Sequence, residues 1–188
     1  MISVTELWLP ILLSAVFVFV ASSILHMVLQ IHNGDYKKLP GEDRIMETIR
    51  GQGVEPGMYM FPFSASMKDM GTPEMIEKYS QGPVAWLTVL PNGPMAIGKS
   101  LFQWFVYTVV LGCVIAYVAT LALSRGADFM VVFRVTATVA MLAYALSAFP
   151  ESIWKGQTWG VTLKFVFDGV VYGLVTAGTF GWLWPDAA

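Results

Sequence analysis

Between Glu6 and Asp35 the chain carries no Asp, Glu, Lys or Arg. The core of that stretch, LWLPILLSAVFVFVASSILHMVL, rises as a helix at about 1.5 Å per residue and so covers the roughly 30 Å of hydrocarbon in a bilayer. A span over residues 7–29 is expected. It is apolar nearly all round, whereas helices buried in a soluble all-α protein of this size need amphipathic faces. The opening MISVTEL lacks the positive charge of a secretory signal, so an uncleaved anchor is expected. A second charge-free run covers residues 100–124. Two more runs follow, 129–149 carrying Arg134 and 161–182 carrying Lys164 and Asp168.

Composition agrees with this reading. Of 188 residues, 56% are hydrophobic and 13% charged, against about 45–50% and about 25% in soluble domains. A disordered chain is excluded and a soluble globule disfavoured. The net charge of −2 leaves no basic excess to neutralise a phosphate backbone, so nucleic acid is not an expected partner. The single cysteine, Cys113, lies in VLGCVIAY and reads as a small packing residue, with no disulfide partner in the chain. Trp8, Trp104, Trp154, Trp159, Trp182 and Trp184 fall at or near the expected span ends, where indole rings prefer the headgroup region.

The loop over residues 32–99 is too long for a plain connection and should carry structure of its own. LPGEDRIMETIRGQG reads as a helix with Pro40 near its start, Glu42 and Asp43 in the first turn and Gly51 as stop. TPEMIEKYSQG reads as another, with Thr72 as N-cap and Pro73 in the first position. GMYMFPF and VAWLTVL have strand composition, and PNGP is a turn. The expected fold is an all-α membrane protein: four transmembrane helices, with a small α+β domain outside the membrane between the first and second. The division is residues 1–31, 32–99 and 100–188. Lys37, Lys38, Arg44, Lys99 and Lys155 outweigh Arg125 near the span ends, which puts both termini outside and the loop in the cytoplasm. Met46, Met58, Met60, Met67, Met70 and Met75 in the loop suit either packing or a Cu(I) site, with packing favoured.

Ionisable residues inside a span are costly and call for partners. Lys164 and Asp168 are four apart and can pair, and Tyr172 and Thr176 continue that face. Beside it runs a row of small residues, Gly169, Gly173, Ala177 and Gly181, which lets another backbone approach closely, in the bundle or at a subunit contact. Depth matches Lys164 and Asp168 to Gln103 and Tyr107 on the second run and to Ser22, His26 and Gln30 on the first. A polar cluster of His26, Gln103, Tyr107, Lys164, Asp168 and Tyr172 in the inner leaflet is therefore expected. Arg134 enters from the other side and belongs with Glu6, Asp128 or the headgroups. The cluster reads either as structural pairing or as a relay in which His26 and Asp168 change charge.

A third reading is metal binding at the exit of the first run, HMVLQIHNGDYKKLPGED. His26, His32 and Asp35, with Glu42 and Asp43 nearby, offer N and O donors for a transition metal. His26 and His32 are six apart, about 240° around a continuous helix, so they converge only if the helix ends near Ile31. There is no HExxH, GxSxG or phosphate-binding glycine loop, and no catalytic residue is assigned.

IHNGDYKKLPGED, PNGPMAIGKSLFQWF and SIWKGQTWGVTLKFVFDGVVYGLVTAGTFGWLWP together resemble an uncharacterised family of small bacterial four-span membrane proteins. The resemblance implies a bacterial, inner-membrane setting and carries no activity. Partners expected are the lipid bilayer and either further copies of the chain or a larger membrane complex. A transition metal and a bound lipid are the candidate cofactors. Three functions stay open: channel or transport through the polar cluster, non-catalytic scaffold, and metal-binding protein or enzyme.

Overall fold

The computed structural model describes residues 2–187. It divides into two units, one taking in the chain up to Tyr36 and from Ala96 onward, the other Lys37–Met95. The first boundary lies a few residues beyond the expected one and the second a few residues before it. His32 and Asp35 remain with the helical unit because both are bonded to its last long helix.

The helical unit contains four helices long and apolar enough to cross a membrane, the architecture of a multi-pass membrane protein. The first, α1, covers Val4–Val28. It opens with a 3₁₀ turn, Val4–Leu7, and closes with a π turn, Ile24–Val28. In the other unit α2 is Glu42–Gly51, β1 Gly57–Phe61, α3 Met67–Met70, α4 Pro73–Gln81 and β2 Ala85–Val89. The helical unit resumes with α5, Ile97–Ala122, and α6, Phe129–Tyr144, which runs through a 3₁₀ turn into the short α7, Phe149–Lys155. The final helix α8 is Trp159–Trp182.

Close approach of backbones sets the packing. A Cβ added at Gly169 would lie 2.5 Å from the backbone of Ala145, one at Gly173 2.9 Å from the Met141 side chain, and one at Gly181 2.8 Å from the Phe129 ring. Ala177, in the same row, is fully buried. The small-residue row of α8 is thus occupied within the chain by α6 and its exit. On the other side Gly112 of α5 meets Ile11 of α1, where a Cβ would be 3.2 Å from the Ile11 side chain. Between these helices lie Val18, Ile115, Ala116, Val132 and Phe180, all buried. Three interior hydroxyls bond backward along their own helices, Ser14 to Ile11 O, Thr136 to Val132 O and Thr179 to Val175 O, whereas Thr162 bonds Ser152 and Gln157 and Thr176 Oγ1 has no partner among the described residues.

Several expectations are corrected here. Trp184 is buried at 7% exposure and donates its indole N–H to Ser124 O, pinning the chain end to the α5–α6 turn. Trp104 lies well inside α5 and packs among tyrosines. Glu6 pairs with Arg125 and not with Arg134, which is exposed with no ion pair among the described residues, leaving the headgroups as its expected partner. Cys113 is exposed, because α5 turns it away from the other helices.

In the second unit β1 and β2 form an antiparallel pair, Gly57 opposite Val89 through Phe61 opposite Ala85. Thr72 caps α4, accepting a hydrogen bond from Met75 N, and Pro73 opens it. Glu42 receives an ion pair from Lys38. None of the residues Lys37–Met95 is buried. The methionines expected to pack do not form a core: Met58 is 71% and Met67 85% exposed.

Candidate functional site

The site begins where α1 stops being regular. In its last turn Leu29 N donates to Ile24 O, five residues back, widening the helix into a π turn, a distortion often found at functional positions. Gln30 then adopts a positive φ of 52°, a left-handed conformation that costs a non-glycine residue on the order of 1–2 kcal/mol. Two tight turns follow, closed by Asn33 N to Gln30 O and Asp35 N to His32 O. The chain doubles back, and His32 comes to lie over His26 with ring centroids 4.4 Å apart and planes 9° apart. The convergence that a continuous helix forbids is achieved by ending it.

Each imidazole is held by its Nδ1. His26 Nδ1 lies 3.0 Å from Ser22 O, a carbonyl that can only accept, so this nitrogen carries a proton. His32 Nδ1 donates to Asp35 Oδ2 at 2.5 Å. Lys164 Nζ donates to the other oxygen of that carboxylate, also at 2.5 Å. Burial pushes the Asp35 carboxyl up, but the hydrogen bonds and positive charge of Lys164 and His32 outweigh it and hold the group below its ordinary value. Asp35 is therefore an anion and an acceptor.

Both Nε2 atoms turn to one oxygen. His32 Nε2 is 2.8 Å and His26 Nε2 3.6 Å from Asp168 Oδ2. Asp168 is 2% exposed, and its Oδ1 is buried with no hydrogen-bond partner among the described residues. Three groups that act as acceptors when the imidazoles are neutral thus lie close together. Parallel rings at 4.4 Å do not suit two imidazolium charges. One cation, a proton or a metal ion, could join them.

Beside Asp168 opens a cavity of about 650 Å³. Its walls include Trp104 and Tyr107 of α5, Tyr144 of α6 and Tyr172 of α8, whose rings pack at centroid separations of 5.5–6.4 Å. Trp104 Nε1 donates to Ser22 Oγ at 3.1 Å and Ser22 Oγ to Phe19 O, fixing the indole against α1. Glu151 and Gln157 give the cavity polar lining from α7 and the turn after it.

Of the residues singled out in the sequence, His26, Tyr107, Asp168 and Tyr172 share this cavity. Lys164 serves the same network but bonds Asp35 and not Asp168. A helical side chain leans toward the helix N-terminus, which carries the long Lys164 chain away from Asp168, and a lysine preceding its acid is the poorer order for an i,i+4 pair. Gln103 is exposed and does not line the cavity, and Gln30 is exposed and bonded to Asn33. Of the metal candidates His26 and His32 come together, but the third donor grouped with them is Asp168, with Asp35 behind His32. Trp104 was expected only as a span-end residue, and Tyr144 carried no expectation. Depth could have found Tyr144, since it lies near the end of the third apolar run, where the Tyr144–Ala145 backbone meets Gly169 beside Asp168.

No family model, curated protein or solved structure matches the chain.

Proposed function

We propose that this is a multi-pass membrane protein of the cation-coupled transport type. In this reading the His26–His32–Asp168 point takes one cation and the adjoining cavity takes a small amphipathic molecule. The observation that carries it is the meeting of two Nε2 atoms on one buried carboxylate whose second oxygen has no partner. Asp168, Asp35 and Lys164 together leave one negative charge, so a bound cation makes the buried network neutral or positive. A cavity of about 650 Å³ is far larger than a bare ion needs, and it falls in the range of small-molecule sites with aromatic walls and a few polar groups. The bilayer is the solvent of the four apolar helices, in a bacterial inner membrane. The positive charges of residues 37–99 put that segment in the cytoplasm and both termini outside. The cavity, near the end of α1 and the start of α8, then lies at the inner leaflet.

Flux through proteoliposomes tests the proposal. Vesicles containing the protein, with a pH dye or a fluorescent metal indicator inside, should show cation entry above that of empty vesicles. Asp168→Asn should abolish this entry while the protein inserts and elutes as before. Equal leak from wild type, Asp168→Asn and empty vesicles would remove the transport reading.

A second reading is an enzyme, favoured by one observation: two of the three donors, His26 and Asp168, line a substrate-sized cavity, which leaves room for water or substrate on a bound metal. Its sign would be metal-dependent turnover of an amphipathic substrate without flux.

A further inference from the structure

We infer that the cation held by His26, His32 and Asp168 is a divalent first-row transition metal, with Asp35 and Ser22 O as the groups that orient the two imidazoles. The inference rests on the cation-site reading above and names the ion.

A single proton joins only two of the three groups. Placed between His32 Nε2 and Asp168 Oδ2, where the separation is 2.8 Å, it leaves His26 Nε2 bare at 3.6 Å from the same carboxylate. A metal ion accepts all three donors at once. Bonds of about 2.0–2.1 Å around a tetrahedral ion set donor atoms roughly 3.4 Å apart, and the observed 2.8 and 3.6 Å bracket that value. The donor atoms of the three residues all lie within 4.8 Å of one another.

The surroundings have the form that metal-binding histidines require. Such a histidine gives its other ring N–H to a carboxylate or a backbone carbonyl, which fixes the tautomer and aims the lone pair. His32 gives Nδ1–H to Asp35 and His26 gives Nδ1–H to Ser22 O. Lys164 in turn fixes Asp35. The unpartnered Oδ1 of Asp168 leaves the carboxylate free to bind through one oxygen or both. Two imidazoles and a carboxylate suit zinc, iron(II) or cobalt(II) and not the hard ions calcium and magnesium, which take oxygen ligands. An imidazole lone pair lies in the ring plane, so loading must splay the two rings out of their 9° stack at the Nε2 edge.

The test uses the full chain in detergent, stripped with a chelator, dialysed and titrated with Co(II), whose visible absorption reports nitrogen and oxygen ligands. About one Co(II) per chain is expected, displaced by Zn(II). Zinc-edge X-ray absorption of the loaded wild type should show two imidazoles, a readout that needs no variant. His26→Ala removes a ligand whose side chain is 40% exposed and should weaken Co(II) binding at least about tenfold with helicity unchanged. Asp168→Asn should do the same. No visible band with less than a tenth of an equivalent of zinc retained, a spectrum without imidazole, or binding untouched by His26→Ala would each overturn the inference. Asp168-dependent proton flux without metal binding would overturn it and leave the transport reading standing, whereas metal binding without flux would do the reverse.

Discussion

Lys164 reaches past its neighbour on α8 to bond Asp35, 129 residues away in sequence, with Nζ 2.5 Å from Oδ1. Through Asp35 it steadies His32, and through His32 it faces Asp168, the residue it was expected to pair with directly. The chain exit after α1 is therefore anchored to the first turns of α8 by charge.

Removing one end of that anchor should cost more than removing both. Lys164→Met leaves the Asp35 anion, 4% exposed, with only His32. Loss of a fully buried partner costs about 3–5 kcal/mol, and with Lys164 itself 37% exposed the expected loss is about 1–2 kcal/mol after solvent screening. The double variant Lys164→Met, Asp35→Leu should recover part of it. Thermal unfolding in detergent decides the point, and a double variant no better than the single one would contradict the account.

Gly169→Leu should separate α6 from α8. Its Cβ alone would stand 2.5 Å from the Ala145 backbone, which cannot give as a flexible side chain can. Overpacking of this kind costs about 1–3 kcal/mol and often more where backbone is the obstacle. Gly178 on the same helix has nothing within 4 Å of an added Cβ, so Gly178→Ala should be neutral or stabilising by roughly 0.5–1 kcal/mol from helix propensity. Unfolding midpoints of the two variants should move in opposite directions or the first alone should fall.

Trp104→Phe tests the cavity wall. It removes the indole donor to Ser22 Oγ and part of the contact with Tyr172. A net loss of about 1–2 kcal/mol is expected from the hydrogen bond and lost area together. An environment-sensitive apolar dye that enters the cavity should bind Trp104→Phe more weakly than wild type, and unchanged titrations would place the dye elsewhere.

Cys113, the only cysteine, reports what surrounds α5. It is exposed on the outer side of an apolar helix. In proteoliposomes a lipid-soluble maleimide should label it and a charged maleimide should not. Labelling by both reagents from the water phase would argue against a bilayer around that face.

The four long helices were legible in sequence, and so were the α2 and α4 boundaries and the two strand segments, because these depend on local matters, whereas the pairing of β1 with β2 was not. A long apolar run has few other ways to satisfy its backbone in lipid, Thr72 and Pro73 cap a helix by their own chemistry, and alternating residues beside a turn make a strand. The small-residue row of α8 was legible as a place of close approach, though its partner, α6, was not.

The site was legible in part. His26, Asp168, Tyr107 and Tyr172 could be brought to one level by counting residues along each helix, since rise per residue fixes depth. Rotation is not fixed in that way, and Gln103, at the same depth as Tyr107, faces outward.

The sequence by itself determined which segments are helices, how long they are and which polar residues share a level. Tertiary structure decided the partners. The π turn and the left-handed Gln30 turn the chain back so that His32 stacks on His26, and this moves Asp35 from ligand candidate to support. Local pattern governs hydrogen bonds within an element, whereas a pairing across 129 residues depends on how helices pack and where a loop folds back, and no periodicity records that.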